Sequence, residues 1–153
     1  MLNEALEISR SGGNVLLELW GLTGLAEAAL EIERFDIVDA CVGRALVLLG
    51  AERTGNGLPG ALEIVRGRLA SARREWAAAK GHFEQAIAVT RAFELRYDEA
   101  RAQQGLGMMM MRDGSPEGHA RALDALRRAR GLFQQVGADR DLEAVGGTLA
   151  RLG

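Results

Sequence analysis

The chain is 153 residues long, a one-domain length that can bury a sizeable core. At 48% hydrophobic and 26% charged, with two prolines, it is neither disordered nor collagen-like. A formal net charge of −2 argues against a general nucleic-acid binder, and no charge-free run of 18 apolar residues is present to span a membrane.

Ala, Leu, Glu and Arg dominate, so the residues favour helix throughout and an all-α chain is expected. Residues 1–60 carry 9 acidic and 4 basic groups, whereas residues 61–153 carry 12 and 15. Solvated faces account for that asymmetry, with head-to-tail association as the alternative use. Cys41 stands alone, which excludes an intrachain disulfide and a thiol metal cluster and leaves an inert buried thiol as the expectation. Met1–Arg10 is amphipathic with two glutamates and does not read as a signal peptide, so a cytoplasmic location is expected.

In chain order, residues 2–10 predict a short helix, and the glycines at 12 and 13 a stop, with Asn14 as a candidate N-cap. Residues 15–32 predict a second helix with Leu19, Leu22, Ala26 and Leu30 on its apolar stripe. Gly21 and Gly24 weaken it and point to close packing or a bend. Phe35–Glu52 predicts a third helix, lined by Val38, Val42, Ala45 and Leu49. Gly50–Gly60 holds an Asn-Gly pair and a proline and predicts the clearest loop. Helices are then expected over 61–74, 76–92, 97–112, His119–Val136 and Asp139–Leu152. Asp113–Glu117 reads as a break, Gly137 as a helix-ending glycine, and the connector at 92–97 is poorly marked. The total is eight helices.

The chain repeats itself. Shifted back by 41 positions, Trp76, Ala79, Phe83 and Ala86 meet Phe35, Val38, Val42 and Ala45. Shifted forward by 43, Ala79, Phe83 and Ala86 meet Ala122, Leu126 and Ala129, while Trp76 meets His119 and fails. The result is a single domain over 1–153: a partial unit at 1–13, hairpin repeats at about 14–56, 57–95 and 96–137, and a capping helix at 138–153. The half units at the ends fit either terminal caps or a domain taken from a larger protein.

The small–aromatic–small order Gly67, Ala70, Trp76, Ala79, Phe83, Ala86 resembles the tetratricopeptide repeat. These units exceed that family's usual length of about 34 residues. They look like the long repeats of bacterial signalling ATPases and of transcriptional activators of the maltose-regulator type. The resemblance implies a right-handed superhelical solenoid of antiparallel helix hairpins whose first helices line a concave groove. Carried onto this chain, the family's groove offsets fall on Trp20, Thr23, Glu27 and Glu31, then on Ile64, Arg68, Ser71 and Ala72. In the third unit they fall on Glu99, Ala102, Leu106, Met109 and Met110.

No catalytic constellation is visible. The two histidines, His82 and His119, lie 37 residues apart and read as surface or half-buried groups. No zinc-protease, phosphate-loop, hydrolase-elbow or paired-cysteine motif occurs. No enzyme activity, cofactor or metal is expected. The run Met108–Met111 serves core packing with one or two groove contacts, or else a partner-binding patch. The arginine groups Arg66, Arg68, Arg73, Arg74 and Arg127, Arg128, Arg130 read as solvated stripes paired with nearby acids rather than a phosphate site.

The expected function is a non-catalytic scaffold that binds a protein or peptide, within a bacterial signalling or transcription-regulatory protein. An open groove exposing Trp20, Arg68 and Met109 is the arrangement that role requires. The alternatives are a self-association module, using end residues such as Leu2, Leu6, Ile8, Leu142 and Leu149, and a small-molecule sensor with a closed pocket.

Overall fold

The computed structural model describes residues 15–51 and 58–153. Among them are seven α-helices and no strand. They are α1 (Val15–Glu31), α2 (Phe35–Ala51), α3 (Leu58–Ala72), α4 (Trp76–Ala92), α5 (Arg96–Asp113), α6 (Pro116–Val136) and α7 (Asp139–Leu152). The helix expected at 2–10, the stop after it, and the end residues Leu2, Leu6 and Ile8 lie outside the described residues, as does most of the expected loop at 50–60.

Two expected breaks are shorter than the sequence indicated. Proline fits the first turn of a helix, where its missing N–H is not needed. Thus α3 already begins at Leu58, one residue before Pro59, and α6 begins at Pro116. Ser115 caps α6 by accepting a hydrogen bond from the Gly118 N–H at 3.1 Å. Asp113 belongs to α5, which ends on Gly114 in the left-handed conformation at φ 75°.

Four of the turns share one construction. After α1, α3, α4 and α6, the next residue but one or the next residue adopts positive φ: Glu33 at 57°, Arg74 at 59°, Glu94 at 54° and Gly137 at 71°. In each, the following N–H reaches five residues back. Arg34 bonds the Ala29 carbonyl at 2.9 Å, Glu75 that of Ala70 at 2.9 Å, Leu95 that of Thr90 at 2.8 Å and Ala138 that of Phe133 at 3.0 Å. This double-bonded ending satisfies the last carbonyls of one helix and starts the next almost at once. Consecutive helices therefore fold back on one another.

The helices pair as α1 with α2, α3 with α4 and α5 with α6, and α7 packs on α6. The first helices α1 and α3, and α3 and α5, also pack on each other. Positions matched by the 41- and 43-residue shifts are core positions: Val38, Ala79 and Ala122 are buried, as are Ala45, Ala86 and Ala129. One core cluster joins α1, α2 and α3 through Leu19, Ala26, Val38, Ala45 and Val65. A second is built on Phe83, with Ile64, Leu106 and Met109 around it, and a third on Leu126, Phe133 and Val145. The closest approaches occur at glycines. A Cβ on Gly67 would stand 2.9 Å from the Phe83 ring, and one on Gly107 would stand 2.7 Å from Leu126. Gly105 faces the same Phe83 ring more tightly still. Gly24, expected to mark close packing or a bend, has open space beside it, so it serves no close contact. No helix among the described residues is long and apolar enough to cross a membrane.

Candidate functional site

The helical period places alternate turns of α1, α3 and α5 on a common side. On α1 that stripe holds Glu27 and Glu31; on α3, Ile64, Arg68 and Ser71; on α5, Arg101, Gln104, Met108 and Arg112. The stripes converge on a cleft of about 520 Å³. Glu31, Ile64, Arg68, Ser71, Ala72, Arg101, Gln104, Met108 and Arg112 line it, with Phe35, Phe83 and, from α7, Asp141.

Ion pairs cross the cleft. Arg68 Nη2 lies 2.6 Å from Glu31 Oε1, joining α3 to α1. Glu31 is well exposed and Arg68 about one-third exposed, 71% and 35%, so solvent screens the pair and it adds little to stability. Arg101 reaches farther, from α5 to α1, and donates to Glu27 Oε1 at 2.5 Å. Its other nitrogen stands 3.6 Å from Asp98 Oδ1. Burial works against the Arg101 charge, but the hydrogen bond to Glu27 together with the nearby charges of Glu27 and Asp98 outweighs it, and the guanidinium is held more firmly protonated than usual. On α5, the Tyr97 hydroxyl donates to Asp141 Oδ2 of α7 at 3.0 Å. Burial first, and that hydrogen bond second, push the Tyr97 phenol above its ordinary pKa. Among the described residues, Arg112 and Gln104 have no hydrogen-bonded or ion-paired side-chain partner.

The expected groove residues divide. Glu31, Ile64, Arg68, Ser71 and Ala72 line the cleft, and Glu27 reaches it through Arg101. Ile64 does so from a buried position in the second core cluster. Trp20 is 61% exposed and shares the α1 face of Glu27 and Glu31, but it lies about three turns, roughly 16 Å along the axis, from Glu31 and outside the cleft. The α5 positions are shifted. Leu106 and Met109 are buried in the core, and Met110 is half-buried against it. Ala102 is fully buried. Glu99 is buried on the side facing α4, where Arg91 donates to it at 3.1 and 2.8 Å. The apolar members of α5 went to the core, because burying Leu106 and Met109 beside Phe83 outweighs any groove role. Only Met108 of the methionine run opens into the cleft, 41% exposed. Thus the exposure of Met109 expected for a peptide groove is not found.

The residues that sequence reasoning missed are Arg101, Gln104 and Arg112, whereas Met108 is one of the one or two groove contacts expected of the methionine run. Their signal was present: they fall at i, i+3 and i+11, with Met108 at i+7, on a stripe one step out of register with the buried one.

Elsewhere several polar groups have structural partners. His82 Nδ1 is 2.7 Å from Glu63 Oε2, and the same carboxylate meets Arg66 at 2.9 Å, a bridge from α4 to α3. Arg73 grips Asp39 of α2 through two hydrogen bonds of 3.2 and 2.6 Å, which hold the Asp39 carboxyl below its usual range. His119 is exposed. Cys41 is buried, and burial pushes its thiol pKa up, away from the reactive thiolate. Among the described residues no three His, Cys, Asp or Glu side chains are grouped to hold a metal ion. No family model matches the chain, and neither a curated protein nor a solved structure matches it.

Proposed function

We propose that this chain is a non-catalytic protein- or peptide-binding scaffold of tetratricopeptide type. In this reading the hairpins stack as a right-handed solenoid, and the chain serves a bacterial signalling or transcription-regulatory protein in the cytoplasm. The observation that carries the proposal is the cleft itself: successive first helices α1, α3 and α5 all contribute to it. Its wall mixes exchangeable ion pairs such as Arg68–Glu31 with the exposed apolar Met108. Such a wall suits a segment of polypeptide, which offers charges and apolar groups in alternation.

The test is affinity capture with the wild-type chain and Arg68→Glu. Because the Arg68–Glu31 pair is exposed, the variant should melt within a few degrees of wild type. A polypeptide captured by wild type and lost with Arg68→Glu supports the cleft. Equal capture by both moves binding to another surface.

Self-association is the second reading, and one observation favours it. Trp20 at 61% and Val47 at 63% exposure put large apolar surface on the first hairpin. Sedimentation up to about 100 μM decides it, since a weak dimer populates there and a chain still monomeric ends the idea. A small-molecule sensor would instead show the cleft closing over an apolar ligand, which its charged wall disfavours.

A further inference from the structure

A second cleft, of about 410 Å³, lies between α6 and α7. Leu123, Arg127 and Arg130 of α6 line it, facing Gly146, Leu149 and Ala150 of α7. The 43-residue shift carries those α7 positions back onto Gln103, Leu106 and Gly107 of α5. It also carries Val145 onto Ala102, and both are fully buried, so α7 stands in register with α5. On α5 the three positions are buried, and α6 lies on them. A Cβ on Gly107 would stand 2.7 Å from Leu126, and Ala125 shares the core cluster of Leu106. On α7 Gly146 and Leu149 are half-buried, Ala150 is exposed, and a Cβ on Gly146 would meet nothing within 4 Å. Among the described residues, the seat that α6 fills on α5 is thus open on α7.

The sequence holds one segment that matches such a seat. Each second helix carries an apolar residue with alanine three positions on: Val42–Ala45, Phe83–Ala86 and Leu126–Ala129. Residues 2–10 repeat that order as Leu2–Ala5, with Leu6 and Ile8 adding apolar surface, and they precede α1 as α2 precedes α3. Charge fits as well. The segment brings Glu4 and Glu7, three residues apart, and the cleft offers Arg127 and Arg130 at the same spacing. Arg127 is 60% exposed, with its nearest carboxylate, Asp124, at 3.9 Å, and Arg130 has no ion pair among the described residues. Within one chain the segment adjoins α1, which packs on α2 and α3, whereas α7 packs on α6. The segment that reaches the seat is therefore another copy's.

From this equivalence we infer that the α6–α7 cleft receives residues 2–10 of a second copy of the chain, packed as the second helix of a hairpin whose first helix is α7. The inference rests on the self-association reading and gives it a defined contact. That contact joins unlike surfaces, so copies add in series or close into a ring. A segment this short covers less than the roughly 1,200 Å² of a stable complex, so the association is weak.

Sedimentation equilibrium at about 100 μM tests it on variants of the whole chain. Leu6→Glu spoils the segment, and Ala150→Glu sets a charge in the seat at an exposed position, so its melting temperature should stay near wild type. Wild type should show a weight-average mass at least about 1.5-fold that of the monomer. Each variant alone should sediment as a monomer. Their equimolar mixture should associate again and stop at the dimer, because it retains one intact segment and one intact seat per pair. Arg130→Glu, which sets a carboxylate against Glu4 and Glu7, should weaken association at least about ten-fold. A mixture that stays monomeric overturns the contact, as does full association by Arg130→Glu. Wild-type association that neither Leu6→Glu nor Ala150→Glu disturbs overturns it too, and leaves self-association to the surface of Trp20 and Val47. A monomeric wild type overturns both.

Discussion

Phe83 shows how much one side chain decides. Its ring is 1% exposed and fills the gap between Gly67 of α3 and Gly105 of α5. Three helices meet there only because two of them lack a Cβ. Gly105→Ala should cost about 1–3 kcal/mol, since the ring must leave its rotamer or part the helices. Gly43→Ala is the control. It sits in a helix with open space where the Cβ would go and should gain roughly 0.5–1 kcal/mol from propensity. Urea denaturation of both variants checks the pair, and an unchanged midpoint for Gly105→Ala would show that the core yields. In the sequence Gly67 stands first in the small–aromatic–small order that ends on Phe83 and Ala86, and the structure brings it against the Phe83 ring. For Gly24 the sequence allowed close packing or a bend, and the open space there removes the first, since a glycine in a helix looks the same whether a neighbour touches it or solvent does.

The turns set the limits of the helices. Where a glycine takes the left-handed position, as at Gly137, the stop was legible in the sequence. The connector at 92–97 was not, and the reason is physical. Its left-handed residue is Glu94, at φ 54°, and glutamate carries no such signal. Glu33 and Arg74 occupy the same position in their turns. The backbone bonds of the ending, such as Leu95 to Thr90 at 2.8 Å, hold these residues in a conformation that costs roughly 1–2 kcal/mol per L-residue. Glu94→Gly should therefore stabilise the chain by up to about 1 kcal/mol, the relief being partly offset by glycine's greater unfolded-state freedom. A raised thermal midpoint checks this. Gly137→Ala should move the midpoint the other way, because the alanine inherits the strain that Gly137 avoids. The starts of α3 and α6 escaped the sequence for a related reason: a proline reads as a loop, although it also fits a first helical turn.

At the scale of the whole molecule, a stack of hairpins normally touches only its nearest neighbours. The Arg101–Glu27 pair departs from that rule, tying α5 of the third hairpin to α1 of the first across 74 residues. The expected groove offsets already held Glu31, Ile64, Arg68, Ser71 and Ala72 of the cleft, but nothing in the sequence paired Arg101 with Glu27, so that contact was not legible there. The pair is partly shielded, with side-chain exposures of 23% and 32%, unlike Arg34–Asp36 at 56% and 68%. Arg101→Met should cost about 1–2 kcal/mol, more than a surface pair and less than a fully buried one, because Glu27 regains some water when its partner goes. Arg34→Met should cost less than about 0.5 kcal/mol. Adding Glu27→Gln to Arg101→Met should cost little more, since the second change removes a charge already left alone. Near 0.5 M salt the surface pair should be fully screened, while most of the Arg101 effect persists. The pair also holds two non-adjacent hairpins at a fixed approach. Arg101→Met should therefore widen the cleft and raise the radius of gyration in small-angle scattering, with helicity unchanged. A variant that loses stability without expanding would make Arg101 a local strut of α5, and one that changes neither would leave the approach of these helices to the packing of α1 on α3 and of α3 on α5.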